Sequence, residues 1–153
     1  MIHKLPPFHP YSPCLLIPSS KMPEMIFVPN SSAAGPSTAQ GPDTWFTGQV
    51  FIDKVHADAN AQIANVMFTP CARTNWHTHE DGQLIRCIAG SGWICDKGAS
   101  SKKLQVGDTV WCPPGTTHWH GADDGSYMVH FVLARGRCDW HDAVTDEEYS
   151  KKA

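Results

Sequence analysis

The chain has 153 residues, about one domain's worth, enough for a single hydrophobic core and too short to divide comfortably into two. Twelve basic against fifteen acidic residues give a formal charge of -3, and no stretch gathers Lys or Arg into a stripe that could follow phosphates, so no nucleic-acid partner is expected. No apolar run approaches the ~18 residues of a membrane span, and prolines break the opening MIHKLPPFHPYSP where a secretory leader needs an apolar stretch; the expectation is a cytoplasmic protein with no membrane partner.

Residues 1–43 are rich in Pro, Ser, Ala and Gly, a composition that buries too little apolar surface to offset the entropy of ordering it. They are read as an N-terminal arm, disordered or swapped onto a neighbour, in which the apolar patch Met25-Ile26-Phe27-Val28 could add an edge strand to a sheet. Residues 44–153 form the domain. From Trp45 onward, short runs of β-branched and aromatic residues recur between Gly, Pro, Asp and Asn. Strands are predicted near 45–53, 61–69, 75–80, 83–89, 92–96, 103–106, 109–112, 117–121 and 126–135. No long 3.6-residue apolar periodicity competes, and the fold class is all-β. At the end, Thr145 with Glu148 makes a capping box before a short polar helix, expected to be peripheral.

The six cysteines form no CxxC pair, so free thiols are expected, with Cys87, Cys95 and Cys112 acting as small buried hydrophobes inside strands. Trp76, Trp93, Trp111 and Trp119 are expected to pack the barrel, and Arg73 and Arg86 to be solvated.

In Asn75-Trp76-His77-Thr78-His79 the histidines are two apart. On a strand both rings then point to one face, about 6.6 Å apart along the chain, where one ion can bridge them. Gln83 follows the Asp81-Gly82 turn signal, which can bring its amide oxygen back toward the same point. A His-x-His pair by itself is more often a surface or core pair than a metal site. A second segment alters that balance: Gly107-Asp108, a short strand and Pro113-Pro114-Gly115 deliver His118 to the start of another strand. His120 lies in register with His118, while His130 shares a face with Met128, Val132 and Ala134.

These two segments resemble the two cupin motifs. The first, Gly, five residues, His-x-His, three or four residues, Glu, six residues, Gly, is matched by Cys71, His77, His79, Gln83 and Gly90. The second, Gly, five residues, Pro-x-Gly, two residues, His, three residues, Asn, is matched by Gly107, Pro113, Gly115 and His118, with Ala122 in place of Asn. The resemblance runs from about Asp43 to Tyr149 and is strongest to small single-domain bacterial cupins with signatures such as Ala72 to His79, Gly82-Gln83 and His118 to Ala122. That group includes Mn(II)-containing hydroxynitrile lyases and cupins associated with carboxymuconolactone decarboxylase. The resemblance implies a double-stranded β-barrel (jelly-roll) with a short C-terminal helix. It implies one divalent transition metal per subunit on His77, His79, Gln83 and His118, with Mn(II) favoured over Fe(II), Zn(II), Ni(II) or Co(II). It also implies His120 and His130 as unligated active-site histidines, and a homodimer paired through sheet edges.

Two positions depart from the family pattern. Gln83 stands where a Glu is usual, so the donors contribute no negative charge and the ion would keep its full charge as a Lewis acid. Cys71 replaces a turn glycine, which disfavours a positive φ and could place a thiol at the barrel's rim. The expected function is that of a lyase or isomerase on a small hydroxy or carbonyl compound, combining Lewis-acid activation with acid/base chemistry at His120 or His130, in a mostly apolar pocket lined by Ala64, Val66, Val132 and Ala134. The alternatives are an Fe(II)-dependent dioxygenase and a non-catalytic small-molecule-binding cupin.

Overall fold

The computed structural model describes residues 24–28 and 38–152. The strands are β1 (Thr38–Gln40), β2 (Phe46–Thr47), β3 (Val50–Ala57), β4 (Ala61–Phe68), β5 (Arg73–Thr74), β6 (His77–His79) and β7 (Gln83–Asp96). They continue with β8 (Lys102–Gln105), β9 (Thr109–Cys112), β10 (His118–Ala122), β11 (Met128–Arg135) and β12 (Cys138–Trp140), followed by one helix, α1 (Asp146–Ser150). Every strand pairing is antiparallel. One sheet runs β1-β3-β4-β11, then the first half of β7, then β9; the other sets β10 between the second half of β7 and the short strands β5 and β6, with β2, β8 and β12 outside. The two sheets curl against each other into the expected all-β barrel, with the residues facing its axis as core.

Two glycines mark where the chain passes between the sheets. The predicted strand 45–53 divides at Gly48 (φ 79), with Phe46–Thr47 in one sheet and Val50 onward in the other. The predicted strands 83–89 and 92–96 are instead one continuous strand, β7, bent at Gly90 (φ 69). A Cβ at Gly90 would lie 1.8 Å from the Tyr127 carbonyl oxygen, so only glycine fits.

Alternation within strands puts Val50, Phe68, Ile85, Cys87 and Met128 into the barrel as its buried core, and fully burying such a side chain contributes roughly 1.5–3 kcal/mol. A second cluster, Trp76, Trp93, Trp119, Val144 and Tyr149, packs on the back of the other sheet beneath α1. The helix is therefore anchored rather than peripheral. Tyr149 is buried and donates its hydroxyl to the Ala122 carbonyl at 2.7 Å, and the expected capping box is present, Thr145 accepting from the Glu148 amide while Glu148 accepts from the Thr145 amide.

Other expectations need correction. Residues 24–28 are irregular and exposed, and the edge strand comes from Thr38–Gln40, inside the stretch read as an arm. Trp111 is 48% exposed, covering Gly82 from outside instead of packing the core. Arg73 is buried; its guanidinium donates to the Val144 carbonyl (2.9 and 3.1 Å), pairs with Asp146 at 2.6 Å and lies over the Tyr149 ring. Arg86 is exposed, as expected. The five described cysteines are free, with Cys87 and Cys112 buried as expected but Cys95 only partly so; Cys14 lies outside the described residues.

Candidate metal centre

The short strand β6 carries His77 and His79 inward, and β10 pairs against it in the register His118↔His77. Gln83 opens β7 after the turn at Asp81-Gly82, and all four side chains are buried. One ring nitrogen from each of His77, His79 and His118 lies within 4.8 Å of the others. Three nitrogens bound to one ion at about 2.1 Å lie roughly 3.0–3.6 Å apart, so the three rings are close enough to converge on one ion with small inward shifts.

The hydrogen bonds show which nitrogens are free to ligate. Nδ1 of His77 lies 3.0 Å from the Asn75 carbonyl and Nδ1 of His118 lies 2.9 Å from the Thr116 carbonyl. A carbonyl can only accept, so each Nδ1 carries the proton and each Nε2 presents a lone pair. Nε2 of His118 then faces Oε1 of Gln83 at 3.0 Å, two acceptors converging with no hydrogen between them. Both ring nitrogens of His79 are buried without any partner. Each such orphan costs about 1–3 kcal/mol, a cost that a cation among the four donors would offset. The donor set fits a divalent transition metal.

Protonation does not compete with that ion near neutral pH. Burial, then the neighbouring His118, push His77 well below the ordinary imidazole value and His79 to about 4, and burial lowers His118 as well.

His120 and His130 sit beside this cluster. Nε2 of His130 and Nδ1 of His120 are 3.1 Å apart, while Nε2 of His120 and Nδ1 of His130 have no partner. Burial lowers His130 to about 3, and burial with the adjacent histidines holds His120 far below the ordinary range, so both rings are neutral.

His77, His79, Gln83, His120 and His130 open onto a cavity of about 420 Å³. Ala64, Val66, Val132 and Ala134 all line it, brought together by the cross-strand pairs Val132↔Ala64 and His130↔Val66. Sequence reasoning missed its aromatic wall. Trp45 and Trp140 stack 5.2 Å apart and 5° from parallel, and Trp140 tilts over His77 at 4.8 Å. Trp140 arrives on β12, three residues between Gly136 and a polar stretch, too short for its alternation to register as a strand. Cys138 is its neighbour on the same face, opposite His79. Cys71 keeps the left-handed φ of 67° that a glycine would favour; its thiol is exposed at the rim, 3.9 Å from the Asp124 carbonyl, and does not line the cavity.

The cupin-domain family profile matches residues 65–134. A relative named (R)-mandelonitrile lyase, from Granulicella tundricola, is 39% identical over 122 residues, 75% of this chain and 93% of that protein. Among solved structures, a cupin-like protein from Thermotoga maritima superposes with a TM-score of 0.73 at 33% identity, over 78% of this chain and 96% of that one. An acetylacetone dioxygenase from Acinetobacter johnsonii shares the fold alone, with a TM-score of 0.66 at 10% identity over 86% and 93% of the two chains. With a barrel of this topology and an identity of that extent, the chain belongs to the cupin family.

Proposed function

We propose that this cupin is a metal-dependent lyase that cleaves a small α-hydroxy compound, of the cyanohydrin kind, to a carbonyl compound. The observation that carries the reading is the juxtaposition of four neutral, buried donors with a buried imidazole, His120, whose Nε2 has no partner, beside a largely apolar cavity. The name of the relative, (R)-mandelonitrile lyase, supports it.

His77, His79, Gln83 and His118 would hold the ion, which when bound supplies a Lewis acid for the substrate oxygen. Mn(II) is the metal we favour, since an amide oxygen beside imidazoles suits it as well as Fe(II), with Zn(II), Ni(II) and Co(II) behind. Neutral His120, protonated on Nδ1 and donating to Nε2 of His130, keeps the lone pair of Nε2 to take the hydroxyl proton. As that proton leaves, the carbonyl π bond forms and the bond to the leaving carbon breaks. Cyanide departs with the electron pair and takes the proton back from His120 as hydrogen cyanide. His130 orients His120. The wall of Ala64, Val66, Val132 and Ala134 excludes water, and the stacked Trp45 and Trp140 receive an aryl or alkyl group. Five free cysteines among the described residues support a reducing, cytoplasmic setting.

Cleavage of racemic mandelonitrile to benzaldehyde, followed under argon and under air with Mn(II)-loaded protein, tests the reading. We expect equal rates in both. The variant carrying His120→Ala with His130→Ala should lose about 10²–10⁴-fold in turnover while retaining its metal. Full activity in that variant would refute the acid/base assignment, and substrate-dependent oxygen uptake would favour a dioxygenase instead.

A further inference from the structure

The cavity beside the metal centre is apolar along most of its wall, and one side chain on β4 breaks the pattern. The inward positions of that strand are Gln62, Ala64, Val66 and Phe68, and Gln62 is the polar residue among them. A glutamine that needs only solvent normally stands on the outward face of an antiparallel strand. Here alternation turns it toward the space in which the reaction takes place. Gln62 is exposed where the cavity opens, and its amide makes no hydrogen bond among the described residues.

Its position relative to the metal donors follows from the register. Ala134 pairs with Gln62 on one side and with Gln83 on the other, so the three form one row across β4, β11 and β7, and all three line the cavity. Two strand spacings of ~4.8 Å put the backbones of Gln62 and Gln83 roughly 10 Å apart. A substrate whose reacting oxygen sits at the four donors can therefore present its far end to the Gln62 amide. The cavity, at about 420 Å³, lies in the range that encloses a ligand larger than a bare phenyl cyanohydrin.

We propose that Gln62 is a specificity-determining residue and that the substrate carries a neutral hydrogen-bonding substituent, such as a carboxamide or hydroxyl, at the end remote from its reacting carbon. The inference rests on the lyase reading above for the reacting group and on the Gln62 row for the remote one. Charge selects a neutral group. Arg137 is the charged residue among those lining the cavity, so a cationic substituent is repelled. Its guanidinium is already held by Asp139 at 2.8 Å, and its backbone amide donates to Glu80 at 3.2 Å, so an anionic substituent meets two carboxylates behind one cation and gains little. The amide of Gln62 offers two donors and an acceptor, which matches a group that both donates and accepts.

Isothermal titration calorimetry of Mn(II)-loaded protein with para-substituted benzaldehydes tests the proposal without relying on turnover. para-Formylbenzamide should bind about three- to tenfold more tightly than para-tolualdehyde, the gain of one hydrogen bond, and para-formylbenzoate should gain nothing. In Gln62→Leu, folded by circular dichroism and with the metal content of the wild type, the amide preference should fall to within twofold. Equal wild-type affinities for the amide and the tolualdehyde, or a preference that survives Gln62→Leu, would overturn the proposal. So would tighter binding of the benzoate, which would give the rim to Arg137 and an anion. Turnover of mandelonitrile reports separately on the lyase reading: cleavage without the amide preference refutes this inference alone, and the amide preference without cleavage of any cyanohydrin refutes that reading while supporting the role of Gln62.

Discussion

Apo protein, stripped with chelator, should lose stability as soon as the solution becomes mildly acidic. His79 titrates at about 4 and His130 at about 3 in the folded chain, both lowered chiefly by burial, against 6.5 for the ordinary side chain. Below 6.5 the unfolded chain binds protons that the folded chain refuses. Stability is therefore intact above that value and falls with pH until the folded-state values are passed. At pH 5 each group favours the unfolded chain by about 1.4 kcal/mol per unit over 1.5 units, roughly 2 kcal/mol, so the pair costs about 4 kcal/mol relative to pH 7.5. His77, His118 and His120 are shifted in the same direction and add to this figure. That is a large part of the 5–15 kcal/mol typical of a domain. Urea unfolding of the apo protein at the two pH values measures it. A midpoint that does not move between pH 7.5 and 5 would refute the inward, neutral placement of these rings.

Gly90→Ala should be among the most damaging single changes, since the added methyl meets the Tyr127 carbonyl at 1.8 Å and φ is 69°. A loss of at least ~3 kcal/mol, a fall in Tm of roughly 6–12 °C by calorimetry, is expected, and a Tm within 2–3 °C of wild type would argue against the sheet crossover at this residue. Gln83→Glu should tighten divalent-metal retention about tenfold or more in a chelator competition, because a carboxylate adds charge to an otherwise neutral set 3.0 Å from His118 Nε2. Its turnover should fall as the ion becomes a weaker Lewis acid. Unchanged retention would mean that Gln83 does not face the ion.

The residues of the site were legible because strand alternation is strict. His77 with His79, and His118 with His120, each had to share a face, and the same period placed Ala64, Val66, Val132 and Ala134 on the inward side of β4 and β11. The convergence of the two segments was readable only through the family spacing, since nothing local in either one indicates where the other lies. What escaped depended on partners distant in sequence. Arg73 is buried because Val144 and Asp146 receive it, more than 70 residues on, and no window around Arg73 contains that information. Gly48 and Gly90 could be seen as glycines, but whether each ends a strand or bends one is decided by the Cβ space left by Ala72 and Tyr127. Cys71 holds a left-handed turn without the glycine that usually signals one.

The centre itself is tested most directly by metal stoichiometry. Protein purified without chelator, analysed by inductively coupled plasma mass spectrometry, should carry close to one divalent ion per chain, and His118→Ala, folded by circular dichroism, should carry almost none, since it removes a donor set within 4.8 Å of His77 and His79. A folded wild-type protein that takes up no ion from excess Mn(II), Fe(II) or Zn(II), or a His118→Ala variant that retains a full equivalent, would contradict the account.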